Sequence, residues 1–297
     1  MNKHLIGILA GALSRDTRTA VAQSRRMGFD GLLFDVTDLP ELSQSGRREF
    51  RHVLAGSNEQ LIGLAVSAGP TGFGPGADVD RALRDIERAM ETAAGLSAPL
   101  ICLDVGPLPA PKREAKPKPR VTSQMAGMLI IPEAAKKPEI VEPGVSPGDP
   151  AFESHVDGAL IELGRRADRY RVTVALRSDL SGFPALERAI LAAGCPWFGI
   201  DLDPVAMLGD EWDMDEIFSR MGSLVRHVRG RDAIKGQGGR TQPTIIGKGS
   251  VPWEDLLQRL DEAGYSGPVT IDPMELPDRA GAAIAGANHL RNFSINS

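Results

Sequence analysis

The 297-residue chain has only two cysteines, Cys102 and Cys195, and both stand in apolar, strand-like surroundings. That excludes a disulfide framework and points to buried thiols rather than a metal site. No run approaches the roughly 18 apolar residues that a membrane helix needs. The opening MNKHLIGILAGALSRD has too short and interrupted an apolar core for a cleavable signal, so the expected location is the cytoplasm. Positive charge is not in excess either. A formal net charge of -5 argues against nucleic acid or a membrane surface as partner. A glycine-rich phosphate loop is also missing, since LAGALSRD after the first apolar run is a poor match to G-x-G-x-x-G.

What is present is a rhythm. Short apolar β-type runs at 4–9, 31–36, 61–67, 99–105, 172–178, 197–203, 224–230 and 268–272 alternate with longer stretches of helical period. The helical stretches are 17–28, 46–56, 78–95, 152–170, 183–194, 213–222, 252–264 and 278–293. Most of them end in Gly, and Asp78 and Pro252 suit helix starts. Eight strand-then-helix units predict an α/β chain folded as a single (β/α)8 TIM barrel over 1–297, with an open doubly wound sheet as the alternative. A Pro- and Lys-rich insertion at 106–150 breaks the rhythm after the fourth strand. Its stretch 112–120 has five basic residues and one acid. It reads either as a surface insertion or as a lid over an anionic substrate, because it leaves the face where such barrels keep their sites.

Side chains that point inward at the C-terminal ends of barrel strands converge on one pocket. By alternation these are Arg177 on the fifth strand, Asp201 and Asp203 on the sixth, His227, Arg229 and Arg231 on the seventh, and Thr270 and Asp272 on the eighth. Of these, Arg177, Asp203, Arg229 and Asp272 form a charge-balanced set at the strand ends.

Several stretches resemble the xylose isomerase-like barrels, the superfamily of sugar isomerases, sugar phosphate isomerase/epimerases and endonuclease IV. HVRGRDA resembles the family's H-V-H-x-K-D-A, and TIIGKGSVPWEDLLQRLDEAGYSGPVTID its glycine turn, helix and G-Y-x-G-P element. RRMGFDGLLFD resembles the early G-F-D-G-V-E element and NHLRNF the closing helix. The resemblance implies a divalent metal held by Glu, Asp, His and Glu at the ends of the fifth to eighth strands, with the two glutamates moving a proton between adjacent carbons. Here the fifth-strand Glu is Arg177, and the sixth-strand D-x-x-H keeps Asp203 but has Ala206. The ligand His of the seventh strand is Arg229, with the preceding His kept as His227. The eighth-strand Glu is Asp272, and the second-strand Glu is Leu33.

A guanidinium cannot ligate a cation, so no metal or other cofactor is expected. The zinc cluster of endonuclease IV is further off still, because His4, His52, His155 and His289 fall at a strand start or within helices. Arg177 and Arg229 are then expected to supply positive charge in place of the metal and to pair with Asp203 and Asp272.

Three functions stay open. The first is a sugar (phosphate) isomerase/epimerase-like enzyme with Asp272 or Asp203 as base and His227 as acid. The second is a metal-free barrel that binds a sugar, sugar phosphate or sugar acid without turnover. The third is a partner-binding scaffold that works through the insertion. Asp232 reads as a contact for substrate hydroxyls or as a turn cap, and Lys248 in IGKG as a phosphate contact or part of a glycine-flanked turn. Trp197 and Trp253 read as packing residues. The resemblance also implies a homodimer, although no residue marks an interface.

Overall fold

The computed structural model describes residues 4–39, 44–57, 59–109, 150–178, 181–209, 213–236 and 240–293. Of the expected insertion, 110–149 lies outside these described residues. The apolar runs become the strands β1 Ile6–Leu9, β2 Gly31–Asp35, β3 Gln60–Ser67, β4 Leu100–Asp104, β5 Thr173–Arg177, β6 Phe198–Leu202, β7 Val225–Gly230 and, last in the chain, β10 Val269–Ile271. They are parallel and close into a barrel in the order β1-β10-β7-β6-β5-β4-β3-β2. The helices are α1 Thr17–Met27, α2 Gln44–Ser57, α3 Val79–Leu96, α4 Pro150–Tyr170, α5 Phe183–Ala193, α7 Met214–Met221, α8 Trp253–Glu262 and α9 Arg279–Phe293. The chain is therefore the (β/α)8 barrel that its periodicity predicts.

Local chemistry sets the helix ends. The Asp16, Asp78 and Asp213 side chains each accept from a backbone N–H in the first turn of α1, α3 and α7. Gly28 and Gly194 close α1 and α5 in the left-handed conformation, which glycine adopts without a Cβ penalty. Besides three single 3-10 turns, at Ala10–Ala12, Val36–Asp38 and Gly222–Leu224, two elements have no counterpart in the sequence reading. One is a short helix, α6 Pro204–Gly209, directly after β6. The other is an antiparallel hairpin, β8 Asp232–Lys235 with β9 Thr241–Thr244, in the connection after β7. The hairpin is short and largely exposed, so its sequence shows neither the apolar alternation nor the length of a core strand.

Outward-pointing strand residues such as Ile8, Phe34, Leu64, Ile101, Val174 and Ile200 pack against the helices in one continuous core. Inside the barrel, Leu33, Ile62, Leu100, Cys102 and Ala175 make a second apolar cluster. The interior is thus apolar on the side of β2 to β5. It turns polar at β6, β7 and β10, where Asp201, His227 and Thr270 are all buried. No helix among the described residues is long and apolar enough to cross a membrane.

Candidate functional site

Four strands leave the barrel through an aspartate that performs the same local task. Asp35, Asp104, Asp203 and Asp272 each accept through Oδ1 from the backbone N–H two residues on, at Thr37, Gly106, Val205 and Met274, over 2.8–3.2 Å. This is the aspartate turn that suits a strand running into a loop. One carboxylate oxygen of each is thus spent on the turn.

At β4, β6 and β10 the other oxygen meets an arginine. Asp104 and Arg177 are register partners across β4 and β5, and Arg177 Nη2 lies 3.6 Å from Asp104 Oδ2. Arg229 Nη2 lies 3.4 Å from Asp272 Oδ2. Arg231 donates to Asp203 Oδ2 at 2.7 Å and to Glu275 Oε1 at 2.9 Å. The expected pairing of Arg229 with Asp272 is present. That of Arg177 with Asp203 is not, because parallel register sets Arg177 beside Asp104, and Arg231 reaches Asp203 instead.

Below this belt lies Asp201. The β6–β7 pairing slips between Ile200 and Asp201, which brings Asp201 level with His227. Its Oδ1 lies 2.6 Å from His227 Nδ1, and His227 Nε2 lies 2.8 Å from Thr270 Oγ1. Its Oδ2 faces Arg177 Nε at 3.6 Å and Arg229 Nε at 3.8 Å. Burial works to raise the Asp201 carboxyl, but the bonded His227 and then the Arg229 and Arg177 guanidiniums outweigh it and hold it at about 2. Burial opposes the charge of Arg229, yet Asp201, Asp272 and Asp203 more than compensate, so its pKa rises.

The structure brings together Arg177, Asp203, Arg229 and Asp272, as their strand positions predict. It moves the other three predicted residues elsewhere. His227 is fully buried, with its ring nitrogens against Asp201 Oδ1 and Thr270 Oγ1. Asp232 is engaged by its own loop. Its two oxygens accept from the N–H groups of Ala233, Gly247, Gly249, Val251 and the Trp253 indole over 2.8–3.3 Å, tying the hairpin to α8. Lys248 is exposed on the turn before α8, where Gly247 packs on the His289 ring. Trp253 is buried, and Trp197 donates to Asp168, so both pack as expected.

Asp104, Asp201 and Arg231 complete the site, and no role was assigned to them from sequence. Asp104 obeys the strand-end rule that nominated the others, but on the fourth strand. Beside the belt, Asp203, Val205, Ala206, Gly209, Arg231, Thr241 and Glu275 line a cavity of about 290 Å³.

The positions that would hold a metal do not fit one. Two carry guanidiniums, Ala206 offers no ligand atom, and Asp203 is already bonded to Arg231. A separate set, Cys102, Asp201 and His227, has donor atoms all within 4.8 Å of one another. There both nitrogens of His227 are occupied, and burial, followed by the Asp201 charge, pushes the Cys102 thiol well up despite the nearby arginines. Within that set Asp201 and His227 are bonded to each other.

A family model described as a xylose isomerase-like TIM barrel matches residues 21–293. Among solved structures, a xylose isomerase domain protein from Planctomyces limnophilus superposes with a TM-score of 0.69 at 17% identity, covering 92% of this chain and 91% of its own. D-psicose 3-epimerase from Clostridium cellulolyticum H10, solved with D-tagatose, gives 0.68 at 15% identity, with 97% and 99% covered. A xylose isomerase-like TIM barrel protein from Mycobacterium smegmatis in complex with magnesium gives 0.64 at 17% identity, with 94% and 88% covered. No curated protein matches the sequence significantly.

Proposed function

The chain belongs to the xylose isomerase-like TIM barrel family, and from that premise we propose that its barrel mouth takes a small hydroxylated molecule and acts on it in the isomerase/epimerase manner without a divalent metal. The observation that carries this reading is Arg229. A buried guanidinium stands where the family's seventh-strand ligand would be, 3.4 Å from Asp272 and 3.8 Å from Asp201.

Arg229 is a fixed cation in a site of low dielectric, where donors aimed at a growing negative charge are worth most. It would donate to the oxygen of a carbonyl as that oxygen gains charge. Asp272 is the better placed base. One of its oxygens is held by Met274, the other meets Arg229 only at 3.4 Å, and the side chain is partly open to the mouth. It would take the proton from the hydroxyl-bearing carbon beside the carbonyl and return it to the former carbonyl carbon, while the proton of that carbon's hydroxyl passes to the old carbonyl oxygen. Asp203 is less free, being bonded to Val205 and Arg231.

The closed pattern of the belt favours a second reading, a barrel that binds such a molecule without turnover. Every mouth aspartate on β4, β6 and β10 has one oxygen in its own turn and the other against an arginine.

The test is metal content and thermal shift of the purified chain, followed by incubation with D-tagatose in D2O. Substoichiometric metal, a shift with ketose that is lost in Arg229→Ala, and solvent deuterium on the sugar that is lost in Asp272→Asn support the enzyme. The same shift with no deuterium leaves the binder. A tightly held stoichiometric metal overturns both.

A further inference from the structure

We propose that Asp201 is the acceptor that reads a ligand hydroxyl at the barrel mouth and, by neutralising Arg177 and Arg229, selects uncharged polyols over phosphates and carboxylates. This rests on the reading of the mouth as a small-molecule site.

The Asp201 side chain is fixed from below. Its Oδ1 is bonded to His227, and His227 is held in turn by Thr270, with all three residues at most 2% exposed. Its Oδ2 is buried and has no hydrogen-bond partner. The nearest cations, Arg177 Nε and Arg229 Nε at 3.6 and 3.8 Å, are beyond good hydrogen-bond distance. A carboxylate oxygen left this way is costly, and the low pKa of Asp201 keeps it charged. The same inner layer is apolar elsewhere, at Leu33, Cys102 and Ala175, so packing alone does not call for an aspartate here.

A hydroxyl suits this position because it can donate to Oδ2 and accept from a guanidinium at once. The Arg177 and Arg229 side chains that cover Oδ2 are themselves partly open, at 17% and 11%, so a ligand would reach it by parting them. A carboxylate group has no proton to offer Oδ2, and inorganic phosphate brings negative charge along with any proton it keeps. Either would also enter a belt where, among the described residues, Arg177, Arg229 and Arg231 face five carboxylates, Asp104, Asp201, Asp203, Asp272 and Glu275.

The test compares the wild-type chain with Asp201→Asn and Arg229→Ala by calorimetry against D-tagatose, D-gluconate and inorganic phosphate. The wild type is expected to bind D-tagatose and neither anion. Asp201→Asn, which removes the charge but keeps the shape, is expected to bind D-tagatose about tenfold more weakly or worse. It is also expected to bind phosphate better than the wild type does, because Arg177 and Arg229 each lose one neighbouring carboxylate while Asp104 and Asp272 remain beside them. Unchanged D-tagatose affinity in Asp201→Asn, with affinity lost in Arg229→Ala, overturns the role of Asp201 and leaves the mouth reading standing. A wild type that prefers either anion overturns the selectivity, and one that binds none of the three sinks both ideas. If Asp201→Asn does not fold, the 13C shift of the Asp201 carboxyl in labelled wild type carries the test: it must move on adding D-tagatose, and a static signal refutes the proposal.

Discussion

Two aspartates are buried to nearly the same depth, Asp201 at 2% and Asp232 at 3% exposure, and their surroundings give them opposite uses. Asp232 is saturated by five N–H donors and has nothing left for a ligand. Asp201 keeps one oxygen without a hydrogen bond, facing two guanidiniums at 3.6 and 3.8 Å. The depressed pKa of Asp201 has a consequence for acid stability. Its folded value of about 2 lies below the ordinary aspartate value of 3.8, so its contribution is fully present above about pH 4 and is lost as pH falls toward 2. The expected size is roughly 2 kcal/mol. Urea melts of wild type and Asp201→Asn between pH 2 and 6 check this: the gap should narrow as pH falls, and a constant gap rules it out. Strand alternation alone made Asp203, Arg229 and Asp272 legible. It could not rank Asp201 above Asp203, because both point inward and only the partners around each one differ.

At the scale of elements, the hairpin β8–β9 depends on one residue. Asp232 bonds to the start of β8, to the turn at Gly247 and Gly249, and to Val251 and Trp253 at the entry to α8. A turn cap and a substrate contact look alike in sequence, because the five N–H groups that converge on Asp232 come from separate stretches of chain. Asp232→Ala leaves those donors buried without an acceptor and is expected to cost about 3 kcal/mol or more. Hydrogen exchange should show 232–251 losing protection while β1 to β6 keep theirs. Uniform loss across the barrel would mean that the knot supports the whole fold. The eight barrel strands and their helices were readable because each buries a continuous apolar face. The hairpin and α6 were not, because each is brief and takes its stability from what it packs on.

For the whole molecule, the arginines change what holds the barrel mouth together. Where a bound metal stabilises a fold, removing it lowers the melting temperature by linkage. Here the cations are part of the chain, so EDTA is expected to leave the melting temperature within about one degree of its starting value. High salt should weaken the partly exposed Arg231–Glu275 pair more than the buried Arg229–Asp201 pair. Differential scanning calorimetry with and without chelator checks this, and a large drop with EDTA would point to an ion at Cys102, Asp201 and His227.

The sequence by itself determined the barrel, its strand order in the chain and the four charged strand ends, because hydrophobic period and side-chain alternation are local properties. Leu33 and Ala206, at positions where the family would use Glu and His, could be read in the same way. Tertiary structure alone decided which arginine meets which aspartate. It also decided that His227 lies beneath the site and that Asp232 is spent on its own hairpin. Those outcomes depend on parallel register, on the slip between β6 and β7 and on which N–H groups converge in space, and none of these is carried by residue spacing along the chain.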